Sequence, residues 1–346
     1  MRIDDFDYDL PKDLIAQEGA EPRTSAKLMV LGPGESVHHR TVGDLPRVLG
    51  RGDVLVVNES RVLPARVRAQ KTTGGKVELM FLEPLDGDRW DCLVGGARLR
   101  EGSTVDVGEG IDGAQVELGE VQGPGRYAVR VLGGPSPEEL MHRWGEMPTP
   151  PYIHSRLQDQ ERYQTTYARV EGSVAAPTAG LHFDGPLLET LDGAGVHMVR
   201  LVLHVGYGTF KPMRAEVVEE HRMESERLEI TEGVASAING ALDDGRRVFA
   251  VGTTTVRALE SATDGRGRVM PYRGSTELFI YPGYRFRFPY SGLMTNFHLP
   301  RSTLLMLVSA YAGRERMLAS YEEAKGKGYR FYSLGDGMLI MGGPVG

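Results

Sequence analysis

The sequence predicts an α/β protein in which a mostly parallel sheet domain carries an inserted small β-barrel domain. Three observations predict it. The apolar runs Asp53-Val-Leu-Val-Val57 and Val248-Phe-Ala-Val251 are unbroken, as in strands buried on both faces of a parallel sheet. From Val62 to about Gly134 the pattern changes to alternating apolar and polar residues between glycine turns. Beyond that block, strand and helix signals alternate again. The expected division is residues 1–61 plus 152–346 for the α/β domain and 62–151 for the barrel.

In chain order, Leu14-Ile15 predicts a short helix and Leu28-Met-Val-Leu31 a buried strand before the run at 53–57. In the barrel block, Val77, Leu79 and Phe81 alternate with polar or smaller neighbours, as do Val105 and Val107, and Tyr127, Val129 and Val131. Ser136-Pro-Glu-Glu139 has the form of a capping box and opens a helix through Trp144. Pro148, Pro150 and Pro151 form a stiff connector, and the stretch 155–169 is mostly polar. Asp184 and Pro186 start a helix with Leu187, Leu188 and Leu191 on one face. Alternation from Val199 to Val205 predicts a strand, and Thr231 opens the next helix. Gly252-Thr-Thr-Thr255 joins a strand directly to a helix on which Arg257 and Glu260 stand one turn apart, spaced to pair. Leu278-Phe-Ile-Tyr281 and Arg330-Phe-Tyr-Ser333 read as strands, and the wholly apolar segment 303–310 as a buried helix.

Composition narrows the function. The chain has 346 residues, 40% hydrophobic and 25% charged, as in ordinary globular proteins. Its single cysteine, Cys92, rules out an internal disulfide or an all-cysteine metal site and fits a cytoplasmic location. The acidic N-terminus lacks a secretion-signal core, and no apolar run is long enough to span a membrane. A net charge of −7 argues against coating nucleic acid, though not against a local basic patch. Phosphate-loop, nucleophile-elbow and zinc-ribbon motifs are missing. None of the nine histidines has metal-ligand spacing.

The stretch Gly172-Ser-Val-Ala-Ala-Pro-Thr-Ala-Gly-Leu-His-Phe183 organises the rest. Small residues, two glycines and Pro177 make it a tight loop before a helix start, a geometry that leaves backbone N–H groups free for a ligand. The plainer alternative is a structural turn with a core histidine. In a parallel sheet ligands bind beyond the carboxyl ends of strands. Unusual residues gather at such ends after Val205, Val251 and Ser333. The turn at Thr253 and Thr254 suits a carboxylate or phosphate. Gly206-Tyr-Gly-Thr-Phe210 lacks the third glycine of a dinucleotide fingerprint, and its rings suit either adenine stacking or core packing. His182, His204 and His298 each lie beside glycine or proline and are candidates for proton transfer. Tyr284-Arg-Phe-Arg-Phe-Pro-Tyr290 alternates rings and guanidinium groups, for RNA stacking or as a plain strand. Arg61, Arg66, Arg68 and Lys71 form the densest basic run, read as phosphate contacts or a solvated barrel edge.

Several strings together carry a family resemblance. They are Phe6-Asp-Tyr-Asp-Leu-Pro11, Gly52-Asp-Val-Leu-Val-Val-Asn58 with Arg61-Val-Leu-Pro-Ala-Arg66, and Tyr163-Gln-Thr-Thr-Tyr-Ala168 with Ala175-Ala-Pro-Thr-Ala-Gly-Leu-His-Phe183. Leu203-His-Val-Gly-Tyr-Gly-Thr-Phe210, Gly252-Thr-Thr-Thr-Val-Arg257, Thr295-Asn-Phe-His-Leu-Pro300 and Tyr329-Arg-Phe-Tyr-Ser333 with Gly335-Asp336 follow. In this order the chain resembles the S-adenosylmethionine:tRNA ribosyltransferase-isomerase family of queuosine biosynthesis. The resemblance implies transfer and isomerisation of the ribosyl part of S-adenosylmethionine onto 7-aminomethyl-7-deazaguanine at the tRNA wobble position. The products would be epoxyqueuosine tRNA, adenine and methionine. It implies a cytoplasmic monomer that binds a tRNA anticodon stem-loop, with S-adenosylmethionine as consumed cosubstrate and no metal or other cofactor.

Mapped on those strings, the candidate acid–base residues are His182, His204, His298 and Asp336. The candidate substrate-binding residues are Pro177, Thr178, Gly180, Phe183, Gly206, Thr209, Phe210, Thr253, Thr254, Arg257 and Asn296, with the Thr253/Thr254 turn and Arg257 expected to hold the methionine carboxylate. Arg61, Arg66, Arg68, Tyr284 and Arg285 are the candidate RNA contacts. The chain departs from the family pattern at Glu59-Ser60, where Asp-Thr is usual, at Thr255 for serine, at Gly337 for alanine, and along Phe288-Pro-Tyr-Ser-Gly292. Two other readings stand beside this one: an S-adenosylmethionine-dependent tRNA methyltransferase, disfavoured by the missing glycine-rich signature, and a non-catalytic tRNA-binding protein.

Overall fold

The apolar and alternating runs resolve into two large sheets joined by a short ladder. The computed structural model describes residues 1–108, 113–150, 152–153, 159–210, 213 and 215–345, without the side chains of Thr209 and Phe210. Part of the proline connector (Pro151) and of the polar stretch (155–158) therefore lies outside the described residues. The chain begins with β1 (Lys27–Leu31), β2 (Val37–Thr41), the short helix α1 (Leu45–Val48), β3 (Val54–Asn58) and β4 (Ser60–Val62). Before β1 the predicted short helix is a single 3₁₀ turn, Lys12–Leu14. Next come β5 (Arg66–Lys71), β6 (Lys76–Pro84), β7 (Arg89–Gly95), β8 (Thr104–Val107), β9 (Ala114–Gly123), β10 (Arg126–Leu132), α2 (Pro137–Trp144) and β11 (Gly145–Glu146). The remainder contains β12 (Val170–Ser173), α3 (Gly185–Gly193), β13 (His197–Leu203), β14 (Glu226–Ile230), α4 (Glu232–Asp243), β15 (Val248–Val251) and α5 (Thr253–Ala262). It ends with β16 (Tyr272–Thr276), β17 (Gly292–Asn296), α6 (Thr303–Ala312), α7 (Arg314–Gly326) and β18 (Gly337–Met341).

The larger sheet has nine strands in the order β16-β14-β13-β3-β15-β17-β18-β1-β2. Its centre, β13-β3-β15-β17, is parallel throughout, and β18 pairs parallel with β1. Antiparallel pairings join β17 to β18 and flank the parallel centre. The unbroken apolar runs follow from burial on both faces. Val54 and Val56 of β3 face one core with α4, α5, α6 and α7, while Leu55 and Val57 face a second core with α3. Each such side chain stabilises the fold by roughly 1.5–3 kcal/mol relative to exposure.

The second sheet closes on itself. Strands β5-β6-β7-β10-β9-β8 are antiparallel neighbours, and β8 pairs back to β5, so six strands form a closed barrel with no open edge. The alternating residues Val77, Leu79, Phe81, Val105, Val107 and Val129 fill it. The capping box is present: Ser136 Oγ accepts from Glu139 N–H while the Glu139 carboxylate accepts from Ser136 N–H. The outgoing β4 and the returning β12 pair in parallel, which brings the two crossings side by side.

Three expected strands do not form. Leu278–Tyr281 leaves the sheet after β16, and the Leu278 carbonyl accepts from Arg257 Nε at 2.9 Å instead of joining a ladder. The segment 284–290 runs without ladder pairing, held by the buried carboxylate of Glu260, which accepts from Arg287 N–H, Phe288 N–H and the Tyr284 hydroxyl. Phe331 makes only a bridge to Ile15, and Tyr332 at φ 73° turns the chain before β18.

Candidate active site

The carboxyl ends of β13, β15 and β17 open onto a cavity that is partly open to solvent. Its walls are the loop residues 175–179, residues 252–254 at the start of α5, Thr295, Asn296 and His298, and the turn residues Tyr332 and Ser333, with Val205 and Leu304. Val205, Gly252 and Ser333 thus meet around one space, but of the residues expected beyond Val205 and Ser333, Gly206 lies in a neighbouring cavity and Asp336 lines neither, and Ser333 ends a turn and not a strand. The loop carries the 3₁₀ turn Thr178–His182, and it is tight: a Cβ on Gly180 would stand 2.1 Å from the Tyr167 hydroxyl.

The start of α5 presents donor groups to the cavity. Gly252, at φ 91°, turns strand into helix in a conformation other residues avoid. First-turn N–H groups of a helix have no partner within it, and the helix end is positive. Thr255 Oγ1 turns back to the Val251 carbonyl at 2.7 Å. Thr254 Oγ1 is buried without a hydrogen-bond partner, on a residue that lines the cavity.

Asn296 organises the opposite wall. Its Nδ2 donates to the Tyr332 carbonyl (3.3 Å) and to His182 Nε2 (3.2 Å), and its Oδ1 accepts from Thr178 Oγ1 (3.0 Å). The carbonyl can only accept, so it sets the amide orientation. His182 Nε2 must then be the accepting nitrogen, with the proton on Nδ1. Burial, with Arg330 and Arg23 nearby, lowers the His182 pKa to about 4. His298 lines the cavity, with Nε2 3.0 Å from Thr295 Oγ1, and burial pushes its pKa down to about 3. Both rings are therefore neutral at physiological pH.

Other expected residues lie elsewhere. His204 lines a neighbouring cavity, half-buried, with a pKa lowered to about 4 by burial and by Arg227. Gly206 lies in that second cavity as well and donates its N–H to Glu226 Oε1 at 2.9 Å. Phe183 packs in the core against Tyr167 and does not reach the cavity. Arg257 is buried and pairs with Glu226, not with Glu260. Asp336 accepts from Lys27 N–H (2.9 Å) and Arg330 N–H (2.7 Å), so both its oxygens brace the turn before β18. The Thr209 and Phe210 side chains are outside the described residues. Arg61 pairs with Glu161 and Glu171, Arg66 with Glu78, and Arg68 with Glu146. The basic run is thus largely compensated. Tyr284 is tied to Glu260, whereas Arg285 is exposed.

The family model described as Queuosine biosynthesis protein matches residues 3–340. The chain belongs to this family. It is 49% identical over 347 residues to the S-adenosylmethionine:tRNA ribosyltransferase-isomerase of Symbiobacterium thermophilum, covering 99% of this chain and 100% of that protein. It is 50% identical over 345 residues to the same-named protein of Desulfitobacterium hafniense, with coverage of 99% and 100%. The crystal structure of the S-adenosylmethionine tRNA ribosyltransferase from Thermotoga maritima aligns at a TM-score of 0.55 and 34% identity, over 97% of this chain and 100% of that one.

The departures from the queuosine-family pattern sit quietly in the fold. Thr255 directs its hydroxyl to the Val251 carbonyl, a bond serine could also make. Glu59 is buried and ion-paired with Arg169 at 3.3 Å. Phe288 and Tyr290 are core residues. At Gly337 a Cβ would stand 3.3 Å from His182 Nε2, so glycine leaves that ring more room. The site also holds residues absent from the sequence-derived candidates. Tyr332 and Ser333 line the cavity, and the Tyr332 ring packs on Tyr152 with centroids 4.3 Å apart. Their signal lies in the Phe-Tyr-Ser string, whose apolar character reads as a strand. Among the described residues, no cluster of three or more His, Cys, Asp or Glu is arranged to hold a metal ion.

Proposed function

We propose that this chain transfers and isomerises the ribosyl group of S-adenosylmethionine onto 7-aminomethyl-7-deazaguanine at the tRNA wobble position, giving epoxyqueuosine tRNA, adenine and methionine. Family membership supports the reaction class. The single observation that carries the site is the start of α5 with its unpartnered Thr254 hydroxyl, opening into the same cavity as His298 and the Asn296 amide that orients His182.

In this reading the helix start and Thr254 hold the methionine carboxylate. Arg257 supports this wall from behind through Glu226. The reaction requires removal of a proton from the ribose carbon beside the sulfonium. His298 is the proposed base: it is neutral, lines the cavity, and has a nitrogen lone pair answered, among the described residues, by the Thr295 hydroxyl, which can turn to donate or accept. His182, whose Nε2 is taken by Asn296, positions that amide and, through it, Tyr332 and Thr178. Asp336 keeps the turn in place. The surrounding walls limit water, which would otherwise hydrolyse reactive intermediates.

The domain division at 62 and 151 belongs to the same proposal. It is supported by the closed barrel between β5 and β11 and by the pairing of β4 with β12. Action as a monomer is part of the same proposal. Among the described residues no helix is long and apolar enough to cross a membrane, and the lone, buried Cys92 is compatible with the cytoplasm. RNA contact is assigned to Arg285 and, after exchange of their carboxylate partners, to Arg61, Arg66 and Arg68.

The test is turnover with S-adenosylmethionine and an anticodon stem-loop bearing the deazaguanine base. Adenine release matched by a ribosyl-derived gain in RNA mass is expected. S-adenosylhomocysteine as product would instead identify a methyltransferase, and binding without turnover a non-catalytic RNA-binding protein.

A further inference from the structure

A second cavity, partly open to solvent, adjoins the first across Val205, which lines both. The wall between them is backbone: the Val205 carbonyl accepts from Val174 and Ala175, and Val205 N–H donates to Ser173 Oγ. Unlike the first cavity, it is lined by the barrel (Leu82, Glu83, Arg126) as well as by the α/β part (His204, Tyr207, Arg227).

Its polar groups are incompletely used. The Glu83 carboxylate makes no hydrogen bond or salt bridge among the described residues; burial and Asp91 raise its pKa, against the opposing pull of Arg126 and Arg227. The Arg227 guanidinium reaches the Gly172 carbonyl only at 3.5 Å, and burial lowers its pKa. His204 Nδ1 is buried without a partner. Leaving such groups unmatched costs free energy that a complementary ligand would recover. The underused groups are the Glu83 carboxylate, the Arg227 guanidinium and the neutral His204 imidazole, beside the Tyr207 ring; Glu224, Glu226 and Arg126, the last paired with Asp91, also line the cavity. A guanine-type base presents the matching edge: adjacent N1–H and 2-amino donors for a carboxylate, a 6-oxo acceptor for a guanidinium, and a flat face for an aromatic ring. Adenine has no such donor pair.

Resting on the ribosyl-transfer reading above, we infer that this second cavity seats the acceptor nucleobase, turned out of the RNA, with Glu83 taking its N1–H and 2-amino edge and Arg227 its 6-oxo group. Val205, which lines both cavities, then marks where the aminomethyl arm must pass the wall to reach the cavity assigned to S-adenosylmethionine. The barrel then has a function of its own, because the acceptor seat is complete only where barrel and sheet meet.

The experiment is equilibrium binding, so its outcome does not depend on turnover. Fluorescently labelled anticodon stem-loops carrying either 7-aminomethyl-7-deazaguanine or its analogue lacking the 2-amino group are titrated with wild-type protein and with Glu83→Gln. The wild type is expected to bind the 2-amino form about 10-fold more tightly, the scale of one good bidentate base contact. Glu83→Gln is expected to bind both RNAs alike, at the weaker affinity. If Glu83→Gln keeps the full discrimination, or if the wild type shows none, the assignment is overturned. Should that variant not fold, Glu83→Asp, which withdraws the carboxylate by one methylene, is read by the same criterion. Wild-type adenine release, measured separately, tests the ribosyl-transfer reading. Loss of that release with base discrimination intact would overturn the parent reaction and leave the base seat standing.

Discussion

Asn296 Nδ2 donates to His182 Nε2 across 3.2 Å, joining the end of β17 to a loop 114 residues earlier in the chain. That bond makes His182 an acceptor and thereby selects its neutral tautomer. The same amide reaches Tyr332 and Thr178, so one side chain ties three walls of the cavity together.

Asn296→Asp should therefore harm activity more than stability. The new carboxylate would face the Tyr332 carbonyl and the His182 lone pair, so it would draw a proton onto His182. We expect kcat to fall at least ~10-fold, with the His182 titration moving up from about 4. Histidine NMR titration of wild type and variant checks the shift. An unmoved titration would count against the tautomer assignment.

Thr254→Val removes a hydroxyl that has no partner in the free protein. Little or no stability should be lost, because no existing hydrogen bond is broken. Affinity for S-adenosylmethionine should fall about 10-fold or more, since a hydrogen bond to a charged group is worth roughly 1.5–3 kcal/mol. Calorimetric titration with S-adenosylmethionine, paired with thermal unfolding, separates the two effects.

Acid should weaken the fold through the buried histidines. The unfolded chain protonates these rings near pH 6.5, whereas the folded chain holds His182 near 4 and His298 near 3. Between those values the unfolded state binds more protons, so stability is fully present above about pH 6.5 and is lost as pH falls from there to the folded pKa values. Thermal midpoints measured from about pH 7 to about pH 4 should decline, and His298→Asn should flatten the decline.

Glu260→Ala should be among the most destabilising single changes in the α/β part. It strands the N–H groups of Arg287 and Phe288 and the Tyr284 hydroxyl. At roughly 1–3 kcal/mol for each buried donor left unsatisfied, the loss is several kcal/mol. Urea unfolding measures it, and Glu260→Gln should recover part of the loss by keeping an acceptor.

Arg285→Ala should reduce stem-loop affinity and lower the salt slope by about 1, the signature of one phosphate contact. Arg66→Ala should change that slope less, because Glu78 already faces Arg66 at 3.9 Å. Binding measured across a series of salt concentrations distinguishes the two.

Much of the fold was legible along the chain. The runs at Val54–Asn58 and Val248–Val251 are buried on both faces, as their unbroken apolar character required. The capping residues Ser136, Asp184 and Thr231 each accept from the N–H of the third residue of the helix they open. Less legible were segments whose conformation is set by a distant group. Residues 278–281 and 284–290 have strand-like composition, but Arg257 and Glu260, reached only through the packed α5, take their carbonyl and N–H groups. The spacing of Arg257 and Glu260 suggests a mutual pair; a closer carboxylate on β14 and a row of backbone donors claim them instead.

By itself the sequence determined the class of fold, the barrel block and the family, because each of these is written in local periodicity or in short contiguous strings. Only the tertiary structure decided which candidates share a cavity. It set His298, Asn296, Thr254 and Tyr332 around one space, put His204 in the next, withdrew Phe183 into the core and committed Asp336 to a turn. The physical reason is that a side chain's role depends on which polar partners remain to it after packing, and those partners come from segments far apart in the chain.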